Sequence, residues 1–265
     1  MRLHLRTATF HEGLNVIYRR SGTDDVISRI DFSVLNLSSG QTFSERLDKR
    51  ELGLVILGGK CNVQAGDKTF TEIGERENVF AGKAYAVYVP GQTEWRVEAV
   101  TKCQVALCYA DWEKGGEVRL ITPEENVENI RGRDNWTRRV VDIIDERTDA
   151  NHLIVGETYN PPGNWSSYPP HKHEVDNPPV ESFQEEVYYF KLNPPQGFGF
   201  IRQYTDDREL DVVHTVEDGD TVLIPKGYHP VVAAPGYELY YLWILSGNTR
   251  KLMPHDDPAH TWVKG

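Results

Sequence analysis

Cysteine, long apolar runs and positive charge are all scarce in this sequence, and each scarcity removes a class of protein. Cys61, Cys103 and Cys108 are the three cysteines in 265 residues. The count is odd and no C-x-x-C occurs, so a disulfide framework is not expected and a reducing compartment fits better. The ordinary role for such thiols is that of small buried apolar side chains. No run approaches the ~18 apolar residues that span a bilayer, and the opening MRLHLRTATF lacks the apolar core of a signal peptide. The expected location is therefore cytoplasmic, with no membrane partner. Lys and Arg number 29 against 40 Asp and Glu, for a formal net charge of -11. Such a surface repels phosphate backbones, and no nucleic-acid partner is expected. A local Arg or Lys can still make a positive pocket for a small anion. Helix-period patterning is scarce as well.

What the chain does contain is a hydrophobic content of 39% with 26% charged residues, the balance of a folded domain. Short runs rich in Val, Ile, Tyr and Phe recur between Gly, Pro, Asn and Asp clusters. They predict strands over 26–35, 53–57, 84–89, 95–99, 103–109, 138–144, 153–159, 186–192, 199–204, 221–224 and 239–245. Many short strands with frequent turn signals indicate an all-β sandwich, jelly roll or barrel. The polar stretch 122–135, with turn residues in RGRDN, marks a division into residues 1–130 and 131–265.

The two parts repeat weakly. Glu51 opens ELGLVILGG and Pro90 opens PGQTEW, while Glu186 opens EVYYFKLN and Pro225 opens PKGYHP at the same interval. Transposing His171, His173 and His229 by the offset from Glu186 to Glu51 lands on Asn36, Ser38 and Glu94. The first part thus loses every histidine and reads as a structural copy.

PPHKHE is the strongest local signal. His171 and His173 are two apart, and on a strand such residues share a face, so two imidazoles converge on one point. Alone, an H-x-H pair is as readily a packing or capping feature. Glu185 and Glu186 precede the apolar run VYYF, where an inward carboxylate is costly unless paired or bound to a metal. By alternation, Glu186, Tyr188 and Phe190 share one face and Glu185 the other. Glu186 is chosen because it abuts the apolar run, leaving Glu185 as a solvated rim carboxylate; a slip of one residue would exchange them. In DGDTVLIPKGYHPVV, a strand, a Pro225–Lys226–Gly227 turn and His229 form a hairpin that can return His229 to the barrel interior. Three imidazoles and a carboxylate suit one divalent transition metal, Zn²⁺ or Mn²⁺ first, then Fe²⁺, Co²⁺ or Ni²⁺, with positions left open. They disfavour Ca²⁺. His4, His11, His152 and His214 are unclustered. His255 and His260 lie in a polar tail that could fold over the site.

These elements resemble the two cupin motifs: H-x-H with a later Glu before an apolar strand, then Gly, P-x-G and His. The interval from His173 to Glu186 is longer than most cupins have, and one residue rather than two separates Gly227 from His229. More specifically, 163–247 resembles the bacterial 5-deoxy-glucuronate isomerase family of inositol catabolism. The matching segments are GNWSSYPPHKHE, EEVYYFKLNPPQGFGFIRQYTDD, DGDTVLIPKGYHPVVAAPGYELYYLWILSG and, beyond them, DPAHTWV. The resemblance implies a two-lobed cupin with a degenerate N-terminal lobe and a metal in the C-terminal lobe. It also implies a small acidic deoxy-sugar substrate, and an aldose–ketose interconversion of 5-deoxy-glucuronate and 2-deoxy-5-keto-gluconate. Its relative, the ketol-isomerase of pectin-derived uronates, is a neighbouring activity.

For that reaction the expected metal set is His171, His173, Glu186 and His229. A proton must also move, and Lys226 and Glu185 are the candidates, Lys226 being otherwise an exposed turn lysine. Arg202 could fork onto the sugar carboxylate, or it could simply pair with Asp206 or Asp207 at the surface. Tyr204 and Tyr241 could hold sugar hydroxyls or serve only in packing. An oxygen-using cupin enzyme and a non-catalytic sugar-binding cupin are the alternatives. Exposed strand edges are compatible with a homo-oligomer.

Overall fold

The computed structural model describes residues 2–7, 9–23 and 25–265. Its architecture is all-β; among the described residues, helix is limited to the 3-10 turns Asp134–Trp136 and Thr261–Lys264. No helix among them is long and apolar enough to cross a membrane.

Two large antiparallel sheets dominate. One has the order Arg119–Ile121, Ala86–Val89, Arg50–Gly58, Cys103–Asp111, Ile30–Leu37, Gly13–Tyr18. The other runs His4–Leu5, Thr221–Ile224, Gln184–Asn193, Glu238–Gly247, Leu153–Asn160, Arg138–Ile144, Val127–Arg131. Each faces a smaller four-stranded sheet. Strand character follows from side-chain alternation. In Glu94–Ala99, a member of one small sheet, Trp95, Val97 and Ala99 are buried while the residues between them are exposed. The central strands of the large sheets, such as Gln184–Asn193, are apolar on both faces because both faces are covered.

Every strand expected from the sequence is present; Arg138–Ile144, Gly199–Tyr204 and Thr221–Ile224 have the expected bounds, several others extend further, Ala86–Val89 is shorter, and the strand expected over 26–35 is shifted to Ile30–Leu37. Short or charged strands such as Thr42–Arg46, Lys68–Ile73 and Val127–Arg131 were not foreseen. Val127–Arg131 lies in the polar stretch taken as the division of the chain and pairs with Arg138–Ile144. A cut at 130/131 therefore falls inside a strand of the second large sheet.

The same strand order occurs twice. Arg50–Gly58 lies between Ala86–Val89 and Cys103–Asp111, as Gln184–Asn193 lies between Thr221–Ile224 and Glu238–Gly247. The pairing register corrects the sequence repeat by one residue. Leu52 faces Val89, just before Pro90, and Glu186 faces Ile224, just before Pro225. Leu52, not Glu51, is thus the counterpart of Glu186, and Glu51 is the counterpart of Glu185.

The two large sheets pack back to back. Phe32, Val34, Val55 and Cys108 of one meet Val141, Val155, Val187, Tyr189 and Leu242 of the other in one continuous core. Two buried carboxylates fasten this junction from opposite sides. Glu51 accepts the backbone N–H groups of Asn151, His152 and Leu153, each at 2.7 Å, and the Tyr88 hydroxyl at 2.7 Å. Glu185 accepts the N–H groups of Ser28 and Arg29 at 2.7 and 2.8 Å and the Ser28 hydroxyl at 3.0 Å. Charge-assisted bonds of this kind are each worth more than a neutral one, and deleting the acceptor strands buried donors. Glu51→Ala is expected to lower the unfolding free energy by about 3 kcal/mol, read as a shift of the urea midpoint. An unchanged midpoint would contradict the fastening role.

Candidate metal centre

Four polar side chains enter the interior of the second sheet pair. His171 is held by the two-residue strand His171–Lys172, which pairs with His255–Asp256, so the polar C-terminal tail does fold onto this end of the barrel. His173 follows directly. Glu186 shares its strand face with Tyr188 and Phe190, which point into the interior cluster, while Val187 and Tyr189 point into the inter-sheet core. His229 arrives by the Pro225–Lys226–Gly227 turn. Gly227 adopts φ +85 there, and a Cβ would lie 2.6 Å from the Tyr204 carbonyl oxygen, so the turn needs glycine.

The ligand-type atoms of His171, His173 and His229 all lie within 4.8 Å of one another. Glu186 Oε2 is 3.2 Å from His173 Nε2 and 3.3 Å from His229 Nε2. His173 Nδ1 donates to the Gln184 carbonyl at 2.8 Å and His229 Nδ1 to the Gly227 carbonyl at 2.9 Å. These bonds assign the tautomer and leave each neutral ring with its Nε2 lone pair facing inward. His229 Nε2 is buried without a hydrogen-bond partner. Lone pairs of two imidazoles aimed at a carboxylate oxygen repel unless a cation or proton sits among them. The orphaned nitrogen and the donor set therefore fit a divalent transition metal.

Electrostatics agree for His171 and Glu186, while the ring of His173 is drawn toward its protonated form by Glu186, the place a cation would take. Burial, reinforced by the neighbouring His229 and His173, pushes His171 well below its usual value and keeps it neutral. Burial also disfavours charge on His173, but Glu186 alongside outweighs it and raises that ring. For Glu186, burial favours the neutral acid, yet the His173 and His229 side chains hold it at about 2. Neutral imidazoles and an ionised carboxylate are the forms that bind metal.

A cavity of about 350 Å³ opens beside His171 and Glu186, walled by Tyr188, Tyr241, Trp243 and Arg138. Its size suits a small ligand. A larger cleft of about 960 Å³, bordered by Phe10, Lys102 and Lys191, contains none of the four converging side chains. The converging side chains therefore open onto the smaller space. Tyr188 and Ser167 share a hydrogen bond of 2.9 Å on the cavity wall, and the Tyr241 hydroxyl donates to Ser166 at 2.9 Å. Burial raises both tyrosines, so they stay protonated, neutral donors.

Tyr241 is thus the one expected substrate residue that reaches the cavity. Arg202 does not: its guanidinium is half-exposed and forked onto Asp211 at 2.8 and 2.7 Å, a surface pair with a different acid from those anticipated. Tyr204 is buried elsewhere, donating to Asp257 at 2.7 Å and stacked on Tyr228. Lys226 is exposed on its turn and does not line the cavity. Glu185 is no solvated rim group: its carboxylate is buried in the inter-sheet junction on Ser28 and Arg29 and does not line the cavity. Missed by sequence reasoning were Tyr188, Arg138 and Asp142. A signal existed for each: Tyr188 shares the strand face of Glu186, and on a strand over 138–144, residues 138, 140 and 142 share a face.

An all-β double-sheet barrel with three imidazoles and a carboxylate converging inside is a cupin-type centre. The chain belongs to the KduI/IolB family, whose model matches residues 3–263. It is 44% identical over 254 residues to the 5-deoxy-glucuronate isomerase of Bacillus licheniformis, covering 95% of this chain and 94% of that protein. It is 47% identical over 235 residues to the 5-deoxy-glucuronate isomerase of Geobacillus kaustophilus, covering 88% and 85%. The crystal structure of an IolB-like protein from Salmonella typhimurium LT2 matches with a TM-score of 0.94 at 37% identity over 100% of both chains. Lactobacillus farciminis oxalate decarboxylase shares the fold alone, with a TM-score of 0.67 at 12% identity, covering 97% and 88%.

His229→Ala and Glu186→Gln are each expected to lower bound metal by at least about tenfold, measured by elemental analysis after dialysis. Glu185→Gln should retain the wild-type metal content. Retention of full metal by both site variants would refute the centre.

Proposed function

We propose that this protein is a metal-dependent aldose–ketose isomerase interconverting 5-deoxy-glucuronate and 2-deoxy-5-keto-gluconate, a step of inositol catabolism. Near full-length likeness to proteins bearing the isomerase name supports the reaction. The observation that carries the chemistry is the cavity floored by His171 and Glu186. In this reading His171, His173, Glu186 and His229 hold one divalent transition metal, Zn²⁺ or Mn²⁺ first. When bound, such an ion supplies a Lewis acid that stabilises negative charge developing on the sugar's carbonyl oxygen as hydrogen moves between neighbouring carbons.

The chain's own residues do the rest. Gln184 and Gly227 carbonyls fix the His173 and His229 rings so that the inward nitrogens stay free. The Tyr188 hydroxyl, kept protonated by burial, presents a donor to a sugar hydroxyl, and the Tyr241 oxygen, whose proton goes to Ser166, presents an acceptor. Trp243 and Leu245 make the apolar wall that limits water. We also read the chain as two cupin-like lobes, with the division moved from 130/131 to the loop before Val127, so that its strand stays with its sheet. The first lobe is structural: Leu52 stands where the second has Glu186, inside an apolar cluster. The three buried free thiols fit a cytoplasmic setting.

Purified protein should convert 5-deoxy-glucuronate to the ketose under anaerobic conditions, followed by proton NMR. Chelation should abolish turnover, and added Zn²⁺ or Mn²⁺ should restore it. Arg202→Ala should leave KM within about twofold of wild type, because that guanidinium is committed to Asp211. Turnover that needs oxygen, or that survives full chelation, would overturn the reading.

A further inference from the structure

Two arginines face each other at the rim of the cavity with no acid between them. Arg131 and Arg138 are direct cross-strand partners in the Val127–Arg131 and Arg138–Ile144 pair, and both line the cavity. Like charges placed opposite each other on neighbouring strands are destabilising. Nearby carboxylates are already engaged: Glu128 lies beside Arg139 and Lys83, Asp145 pairs with Arg147, and Asp256 pairs with Lys264. Asp142 borders the same cavity four residues further along the strand face, and its hydrogen bond at 3.3 Å comes from Asn129. Neither arginine forms an ion pair among the described residues. Arg138 donates through Nη1 to the Trp136 carbonyl at 3.3 Å, and its guanidinium lies 5.9 Å from the Trp136 ring centroid. Burial, with Arg131 adding to it, works against its charge, and Arg138 in turn helps keep His171 neutral. A chain of net charge -11 thus keeps, at the mouth of the cavity beside its histidine cluster, two arginines with no ion-pair partner among the described residues, Asp142 and Asp256 being the acids that line the same cavity.

We propose that Arg138, assisted by Arg131, binds the carboxylate of the sugar acid and so sets the direction in which the substrate lies. This rests on the proposed isomerase reading and deepens it. In 5-deoxy-glucuronate the carboxylate and the aldehyde are at opposite ends of the carbon chain. Anchoring the acid at the arginine rim leaves the aldehyde and its neighbouring hydroxyl to reach the His171 and Glu186 end. A planar guanidinium can meet a carboxylate through two parallel N–H donors, which a lysine cannot reproduce. Arg138 is therefore a substrate-binding and specificity residue, and the tight surface pair of Arg202 leaves that task to it.

The test compares Arg138→Gln, Arg138→Lys and Arg131→Gln with the wild-type holoenzyme. Arg138→Gln should raise KM for 5-deoxy-glucuronate roughly 10- to 100-fold, with kcat changed far less and metal content unchanged. Arg138→Lys should recover only part of the loss, and Arg131→Gln should show a smaller rise. Calorimetric titration with D-glucuronate and D-glucose gives a readout independent of turnover. Wild type should prefer the acid, and Arg138→Gln should lose that preference. If wild type prefers the acid through Arg138 yet does not turn over 5-deoxy-glucuronate, the anchor stands and the isomerase reading falls. If turnover is present but KM for the acid is unchanged in Arg138→Gln, the anchor falls. Loss of metal, or equal weakening of the acid and the neutral sugar, would likewise overturn it.

Discussion

Glu186 is a carboxylate set on the inward face of a strand whose other inward residues, Tyr188, Phe190 and Leu192, are core. An unpaired charge there would be strongly destabilising. The interior of the second sheet pair is organised to avoid that outcome. Segments distant in sequence deliver His171, His173 and His229 to the same point, and two backbone carbonyls fix which nitrogen of two of these rings looks inward. In the first sheet pair the same register holds Leu52, and its interior closes into an apolar cluster. The loss of that carboxylate, together with the three histidines, separates a barrel that is filled from a barrel that has a polar centre and a cavity.

The surrounding frame is suited to holding such a centre still. The large sheets share one core, and the Glu51 and Glu185 carboxylates each cross from one sheet system to backbone N–H groups of the other. The Arg76–Glu157 pair, at 2.6 Å and fully buried, adds a third link, with the Tyr159 and Tyr240 hydroxyls both donating to Glu157. A buried pair of this kind gives little net stability but penalises any arrangement that separates its members. The strand His4–Leu5, from the start of the chain, completes the edge of the second large sheet, and His255–Asp256, from its end, braces His171. Precise placement of catalytic side chains needs this kind of rigid support.

Strand alternation made much of this legible. The run after Glu186 announced its own faces, and the H-x-H pair and the P-x-G turn announced convergence. The family resemblance joined them. Alternation could not show what lies on each side of a sheet. It marked Glu185 as opposite to Glu186 but not that its side was a second core, so a buried fastening looked like a rim group. The repeat was visible too, but in a register one residue off, because Glu51 and Glu186 look alike as letters and occupy opposite faces.

By itself, then, the sequence determined the all-β class, most strands and the four side chains of the centre. Those depend on local period and on residues whose chemistry admits few uses. The tertiary structure decided which arginine faces the cavity. Arg202 and Arg138 are both arginines in short β runs, and nothing local distinguishes them. Asp211 on the next strand claims the first, while the second meets Arg131 across its ladder and forms no ion pair among the described residues. Pairing register between segments selects a side chain's neighbours, and register is a property of the assembled sheet.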